Sequence, residues 1–232
     1  NYKAIPNVFY PLLNNNCKEA LNFLKTAGTW SHFSLSIQTA ALSLNGFTDN
    51  PEDAGQYFSL LKEQKPVAIE IPETFPNRTA AFVSLGISNY AAFKLRNKAY
   101  LQKTGQAASQ AATLIYTSKK YNIDLEKAVS DWVGTEMALV LTENSGDSLI
   151  NNQLAFIKTD YPEKATELME LIVGTDSIQN KKIKFTERYK NQKIYFISIP
   201  GFLSVIGGDV FNKIQRPYVV VIKNQVICAN KL

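Results

Sequence analysis

Chemistry needs particular side chains at particular spacings, and this chain offers few. It has one histidine, His32, and two cysteines, Cys17 and Cys228. A two-histidine zinc site is therefore impossible, and a cysteine site would need Cys17 and Cys228 to meet. Alternation puts His32 on the polar side of a strand carrying Phe33, Leu35 and Ile37, where an imidazole is a bystander. Cys17 falls at helical spacing with Ala20, Leu21 and Leu24 and reads as a small core residue, while Cys228 shares a strand face with Val226. Two cysteines make no disulfide framework. No G-x-S-x-G elbow surrounds a serine, and Ser204 within the glycine-flanked stretch 201–208 has the wrong spacing. Neither a Walker A loop nor a G-x-G-x-x-G turn is present, so no cofactor is expected.

Carboxylates are the remaining candidates. Glu136 and Glu143 bracket an apolar strand, with Asp131 nearby. A glycosidase would need such a pair roughly 5–9.5 Å apart, whereas solvated or capping carboxylates explain the same residues without catalysis. Asp49-Asn50-Pro51-Glu52-Asp53 superficially resembles a calcium loop, but its proline suits the first turn of a helix better. The expectation is a chain that is not an enzyme. The alternative is a fragment of an envelope hydrolase or glycan-processing protein whose other catalytic residues lie outside it.

Charge gives a sharper signal. Between Thr74 and Ile123 there is no Asp or Glu, while Arg78, Lys94, Arg96, Lys98, Lys103, Lys119 and Lys120 supply seven positive charges. The whole chain carries +5, so the remainder sums to −2 (5 minus 7). Such asymmetry attracts anionic partners. Lys94, Arg96, Lys98, Lys103, Lys119 and Lys120 are the candidate surface for an acidic protein or an anionic envelope component. Tyr90, Phe93, Tyr100, Tyr116 and Tyr121 interleave with them, the mixture that a polyanion or nucleic-acid binding module uses. The same pattern also describes two helices with basic outer faces and an aromatic core stripe of Phe93, Tyr100 and Leu101, and nucleic acid is the less favoured partner. A second basic group, Lys181, Lys182, Lys184, Arg188, Lys190 and Lys193, fits the guarding of an edge strand.

The elements that would position these residues follow from an internal repeat. Thr48-Asp49-Asn50-Pro51-Glu52-Asp53-Ala54 recurs as Thr159-Asp160-Tyr161-Pro162-Glu163-Lys164-Ala165. Each copy reads as a helix start, with Asp49 or Asp160 as cap and Glu52 or Glu163 three residues on. Strand pairs precede both. Phe33, Leu35 and Ile37 lead to Leu42 and Leu44 in the first copy, and 137–141 leads across the turn-rich Asn144–Asp147 to Leu154 and Phe156 in the second. Helices at 17–25 and 125–133 precede the pairs, each ending near a glycine, Gly28 or Gly134. The fold class expected is α+β: a duplicated strand-helix-strand-strand-helix unit, with antiparallel sheets and helices on one face. Residues 1–73 form the first unit, 74–175 the second with a helical insertion between Tyr90 and Tyr121, and 176–232 a mostly β segment. In that last part 183–185, 194–197 and a 219–228 hairpin turning at Lys223-Asn224 are the strands, and Gly207-Gly208 marks a loop.

The stretches Leu44-Asn45-Gly46-Phe47-Thr48, 75–93, 134–143 and 217–230 resemble a domain-of-unknown-function family of Bacteroidetes envelope proteins, over most of the chain. The resemblance implies an α+β repeat region in a membrane-anchored, extracytoplasmic protein, periplasmic or otherwise in the cell envelope. It implies no known activity and no binding residues. No window reaches the roughly 18 apolar residues of a membrane span. The chain opens at Asn1 and closes just after a strand pair, so a segment of a longer chain is expected, with any anchor outside it. The function expected is non-enzymatic: an extracytoplasmic binding or scaffolding module.

Overall fold

The computed structural model describes residues 27–39, 41–49, 55–143 and 152–231. The protein is α+β with antiparallel sheets. It divides into two compact units, Asn1–Glu63 with Ala92–Ala107, and Gln64–Ala91 with Ala108–Leu232. The second unit takes in the C-terminal β segment.

The first unit contains a hairpin of β1 (Ser31–Gln38) and β2 (Ala41–Thr48). Phe33 lies opposite Gly46, Leu35 opposite Leu44 and Ile37 opposite Leu42. At the open end Ser31 Oγ and Thr48 Oγ1 are 2.7 Å apart, and the Asp49 N–H donates to Trp30 O at 3.0 Å. A 3-10 helix follows at Tyr57–Leu61. Helix α1 (Tyr90–Lys103) belongs to this unit except for its first two residues. Its buried Phe93, Asn97, Tyr100 and Leu101 fall at the i, i+4, i+7, i+8 spacing of one helical face. The Tyr100 ring meets Tyr57 edge-on, with centroids 6.0 Å apart.

The second unit is built on a seven-stranded antiparallel sheet, in the order β3-β4-β5-β9-β8-β7-β6. The strands are β3 (Thr79–Gly86), β4 (Glu136–Thr142), β5 (Gln153–Lys158), β6 (Thr186–Tyr189), β7 (Gln192–Phe196), β8 (Tyr218–Ile222) and β9 (Gln225–Ala229). The helices are α2 (Ala107–Tyr121), α3 (Leu125–Ser130), α4 (Pro162–Gln179) and α5 (Phe202–Gly207). Alternation along the strands makes two packed faces. On one, Ala138, Val140 and Phe156 bury against Ile71 of the 3-10 turn Ile71–Thr74 and against Phe75. On the other, Met137, Ile157, Val226 and Cys228 are buried. There Tyr195 OH donates to Glu170 of α4, and Gly207 of α5 lies against Met137. The α-helices α4 and α5 thus share one face, as expected, while the 3-10 turn covers part of the other.

Several sequence expectations hold. The 218–229 hairpin turns at Lys223-Asn224, with Lys223 at φ 52°. The insertion between Tyr90 and Tyr121 is two helices, α1 and α2. Other expectations are corrected. The strand assigned to 183–185 begins at Thr186, and Phe185 is instead a buried residue whose carbonyl accepts from the Phe196 N–H at 2.9 Å. Gly207-Gly208 is no free loop but the junction of α5 with the 3-10 helix Gly208–Phe211. Asp160 does not cap α4. The cap position is Tyr161, and Thr159 Oγ1 accepts its N–H at 3.0 Å, while Pro162 occupies the first turn as expected. Gly134 serves close approach rather than a left-handed stop. Its N–H donates to Lys158 O at 2.8 Å, and a Cβ there would stand 2.8 Å from the same oxygen.

The hairpins of both sequence copies are present, but in different settings. β1–β2 is a sheet by itself, whereas β4 and β5 lie inside the seven-stranded sheet. The helix expected at 17–25, the turn at Asn144–Asp147 and the start of the helix after β2 fall outside the described residues. The duplication remains a pattern of the sequence.

Candidate functional site

Helical geometry divides the six basic candidates. On α1, Lys94 and Lys98 are four residues apart and share a side, while Arg96 and Lys103, seven apart, share a different one. Arg96 is half-buried and its guanidinium donates to Glu63 at 2.5 Å. Lys98 and Lys103 are exposed and Lys94 is half-buried. On α2, Lys119 is exposed, but its neighbour Lys120 turns inward.

Lys120 enters a buried polar cluster of the second unit. Its ammonium lies 2.5 Å from Oδ1 of Asp176, a carboxylate only 1% exposed. Tyr121 OH donates to the same oxygen at 3.0 Å, and Ser198 Oγ donates to Oδ2 at 2.6 Å. The ammonium also sits 5.4 Å from the Tyr116 ring centroid and 5.0 Å from that of Tyr121. Burial pulls the Lys120 ammonium downward, but its hydrogen bonds to Asp176, Tyr116 and Tyr121 outweigh this and hold it above its usual range. Burial pushes the Tyr121 hydroxyl up to about 12, against hydrogen bonds with Ser198 and Lys120. Both carboxylate oxygens are occupied by internal donors. The arrangement ties α2 to α4 and to the segment after β7, and the carboxylate is shielded from solvent.

Glu136 is structural too. Glu136 is fully buried, accepting from the Glu70 N–H at 2.7 Å, the Ile71 N–H at 3.0 Å and Ser84 Oγ at 3.0 Å. It holds the start of the 3-10 turn against the sheet. Glu143 lies beyond the far end of the seven-residue strand β4. At ~3.3 Å per residue that is about 23 Å away, far outside glycosidase spacing. Glu143 is exposed and reaches Arg78 at 4.0 Å, and Asp131 pairs with Lys127 at 3.0 Å. Cys228 is buried and free, with its thiol pushed up by burial, and Cys17 lies outside the described residues. His32 is exposed on β1. Among the described residues, no group of three or more His, Cys, Asp or Glu could hold a metal ion. No described helix is long and apolar enough to cross a membrane.

The feature that sequence reasoning missed is on the hairpin. Phe33, Leu35 and Ile37 alternate along β1 and are 51%, 58% and 74% exposed. The alternation was legible, but it predicts a buried face, and here that face is open. Phe47, on the opposite side of the ribbon, is 77% exposed. From Ala27 to Thr48 there is no Asp, Glu, Lys or Arg. Monomeric proteins seldom leave contiguous apolar faces open unless a partner uses them. Asp176 also carried a signal: it extends the apolar stripe of Ala165, Met169 and Ile172 at helical spacing, which marks an acid directed inward.

No protein-family model matches this chain, and neither a curated protein nor a solved structure shows significant similarity to it. The functional reading therefore rests on geometry. Among the described residues, the first unit offers the open hairpin face and the exposed Lys98 and Lys103 for recognition, and the second unit the exposed Lys119.

Proposed function

We propose that the chain is a non-enzymatic, extracytoplasmic module that binds and scaffolds a protein partner in a cell envelope. The observation that carries this reading is the open, uncharged face of Phe33, Leu35 and Ile37. An apolar protein surface is the occupant that this chemistry selects, because the ribbon has no Lys or Arg to engage anionic lipid, glycan or nucleic acid. The internal pairing of Arg96 and Lys120 weakens the polyanion alternative. The distance between Glu136 and Glu143 removes the carboxylate pair that motivated the hydrolase alternative. The envelope location rests on the family resemblance.

The test is crosslinking to partners in an envelope extract with three baits: the wild type, Phe33→Ser/Leu35→Ser, and Lys98→Gln/Lys103→Gln/Lys119→Gln. The expected result is one protein crosslinked by the wild type and by the lysine variant but lost with the hairpin variant. Loss with the lysine variant alone would move the site to the basic residues. Turnover of an envelope polymer by the purified chain would overturn the non-enzymatic reading.

A further inference from the structure

The two ends of the seven-stranded sheet are treated very differently. β6 closes one end with four residues that include Glu187 and Arg188, and Lys184 and Lys190 flank it. Short, charged edges of this kind resist pairing with other chains. β3 closes the other end with eight residues, Thr-Ala-Ala-Phe-Val-Ser-Leu-Gly, and carries neither charge nor proline. Its single irregularity, between Thr79 and Ala81, leaves the stretch from Phe82 onward in regular register with β4. Ala80 and Ala81 are exposed, and Phe82 and Val83 are 51% and 54% exposed.

The direction of the backbone groups follows from one hydrogen bond. The Ile87 N–H donates to Thr135 O at 2.8 Å, so Ile87 faces the β4 side. Alternation then turns the N–H and C=O of Val83 and Leu85 toward β4, and those of Phe82 and Ser84 away from it. Among the described residues, no strand pairs with that edge, and Phe82 and Ser84 present an unextended ladder there.

We propose that β3 is a self-association edge, pairing antiparallel with β3 of a second copy about a two-fold axis through Val83. In that register Phe82 of each copy lies opposite Ser84 of the other, and each pair exchanges an N–H and a C=O. Val83 meets its own counterpart on one face, a β-branched cross-strand pair. The two Phe82 rings are diagonal neighbours on the other face, within aromatic reach. A second copy is the occupant that fits because the strand is self-complementary. An uncharged strand brings no like charges together across the axis, and the two outward residues are placed symmetrically about Val83. The contact is isologous and closes at a dimer. It uses none of the hairpin residues and does not depend on the proposed scaffold role.

The experiment is sedimentation equilibrium across a wide concentration range, with circular dichroism to verify folding. The wild type is expected to dimerise reversibly. Phe82→Pro removes an outward N–H and leaves the β4 ladder intact, and Val83→Lys sets two cations against each other; both are expected to remain monomeric over the same range. Mixing Val83→Lys with Val83→Glu is expected to restore a dimer containing one copy of each, which a merely misfolded variant could not do. The hairpin variant Phe33→Ser/Leu35→Ser is expected to dimerise like the wild type. A wild type that stays monomeric throughout, or a dimer that survives both Phe82→Pro and Val83→Lys, would overturn the proposal.

Discussion

A buried acid decides more about this molecule than its exposed bases do. Asp176 is held by Lys120, Tyr121 and Ser198, so replacing Lys120 strands a carboxylate that is only 1% exposed. Lys120→Met should lower stability by about 3 kcal/mol. Adding Asp176→Leu should recover part of that loss, a coupling that urea denaturation of the two single variants and the double variant would measure. The same neighbourhood sets an alkaline limit. Tyr121 is pushed up to about 12 chiefly by burial, and Tyr195 to about 12 by burial and then by the Glu170 carboxylate. An unfolded tyrosine ionises near ~10. The folded state therefore keeps protons that the unfolded state loses, so the stabilisation is full below about pH 10 and declines as pH rises toward 12. The raised Lys120 ammonium acts with the same sign. Urea midpoints should begin to fall near pH ~8.5, where the unfolded Cys228 thiol ionises and the buried one does not, and fall more steeply above ~10; Tyr121→Phe/Tyr195→Phe should flatten the steeper part. An unchanged slope in the double variant would remove these two residues as its cause.

At the scale of elements, two glycines should respond with opposite signs to the same substitution. A Cβ on Gly207 would stand 2.2 Å from Cε2 and 2.3 Å from Cδ2 of the buried Phe211 ring. Gly207→Ala should cost about 1–3 kcal/mol through overpacking. Gly174 lies inside α4 with open space where a Cβ would be, so Gly174→Ala should stabilise by about 0.5–1 kcal/mol through helix propensity. Thermal melts of the two variants would check both signs. The contrast also shows what the sequence could convey. Local patterns were legible: the α1 stripe of Phe93, Tyr100 and Leu101, the turn at Lys223-Asn224, and Pro162 in the first turn of α4 all follow from spacing and turn chemistry. What was not legible depends on residues far apart in the chain. Glu136 looked like half of a catalytic pair until Ile71, distant in sequence, brought its N–H to the carboxylate. Arg96 and Lys120 looked like open bases until Glu63 and Asp176 met them. Strand order, and with it the identity of β3 as an edge, follows from pairings that no local pattern encodes.

At the scale of the whole molecule, the two units differ in how their strands are secured. β4, β5 and β9 are central strands with a neighbour on either side, and Val140, Ile157 and Val226 are fully buried. Among the described residues, β1 and β2 pair only with each other, and Phe33, Leu35 and Ile37 are exposed. A two-stranded ribbon without a hydrophobic backing is marginal in water, and local opening is easiest where buried contacts are fewest. Hydrogen exchange should therefore separate the elements: amides of 31–48 should exchange early, and those of 137–141, 154–158 and 226–228 last. The same measurement bears on function. If a partner docks on the hairpin face, its addition should slow exchange across 31–48 and leave the slowest amides of the central strands unchanged, because a ligand stabilises the region that it covers by an amount set by its concentration relative to its Kd. Slow exchange of the hairpin in the isolated protein would mean that Phe33, Leu35 and Ile37 are already covered, and the open face would then be withdrawn as a recognition surface. Early exchange that slows with the crosslinked partner would join the instability of the ribbon to its use, since a face left without a core is kept in order by what it binds.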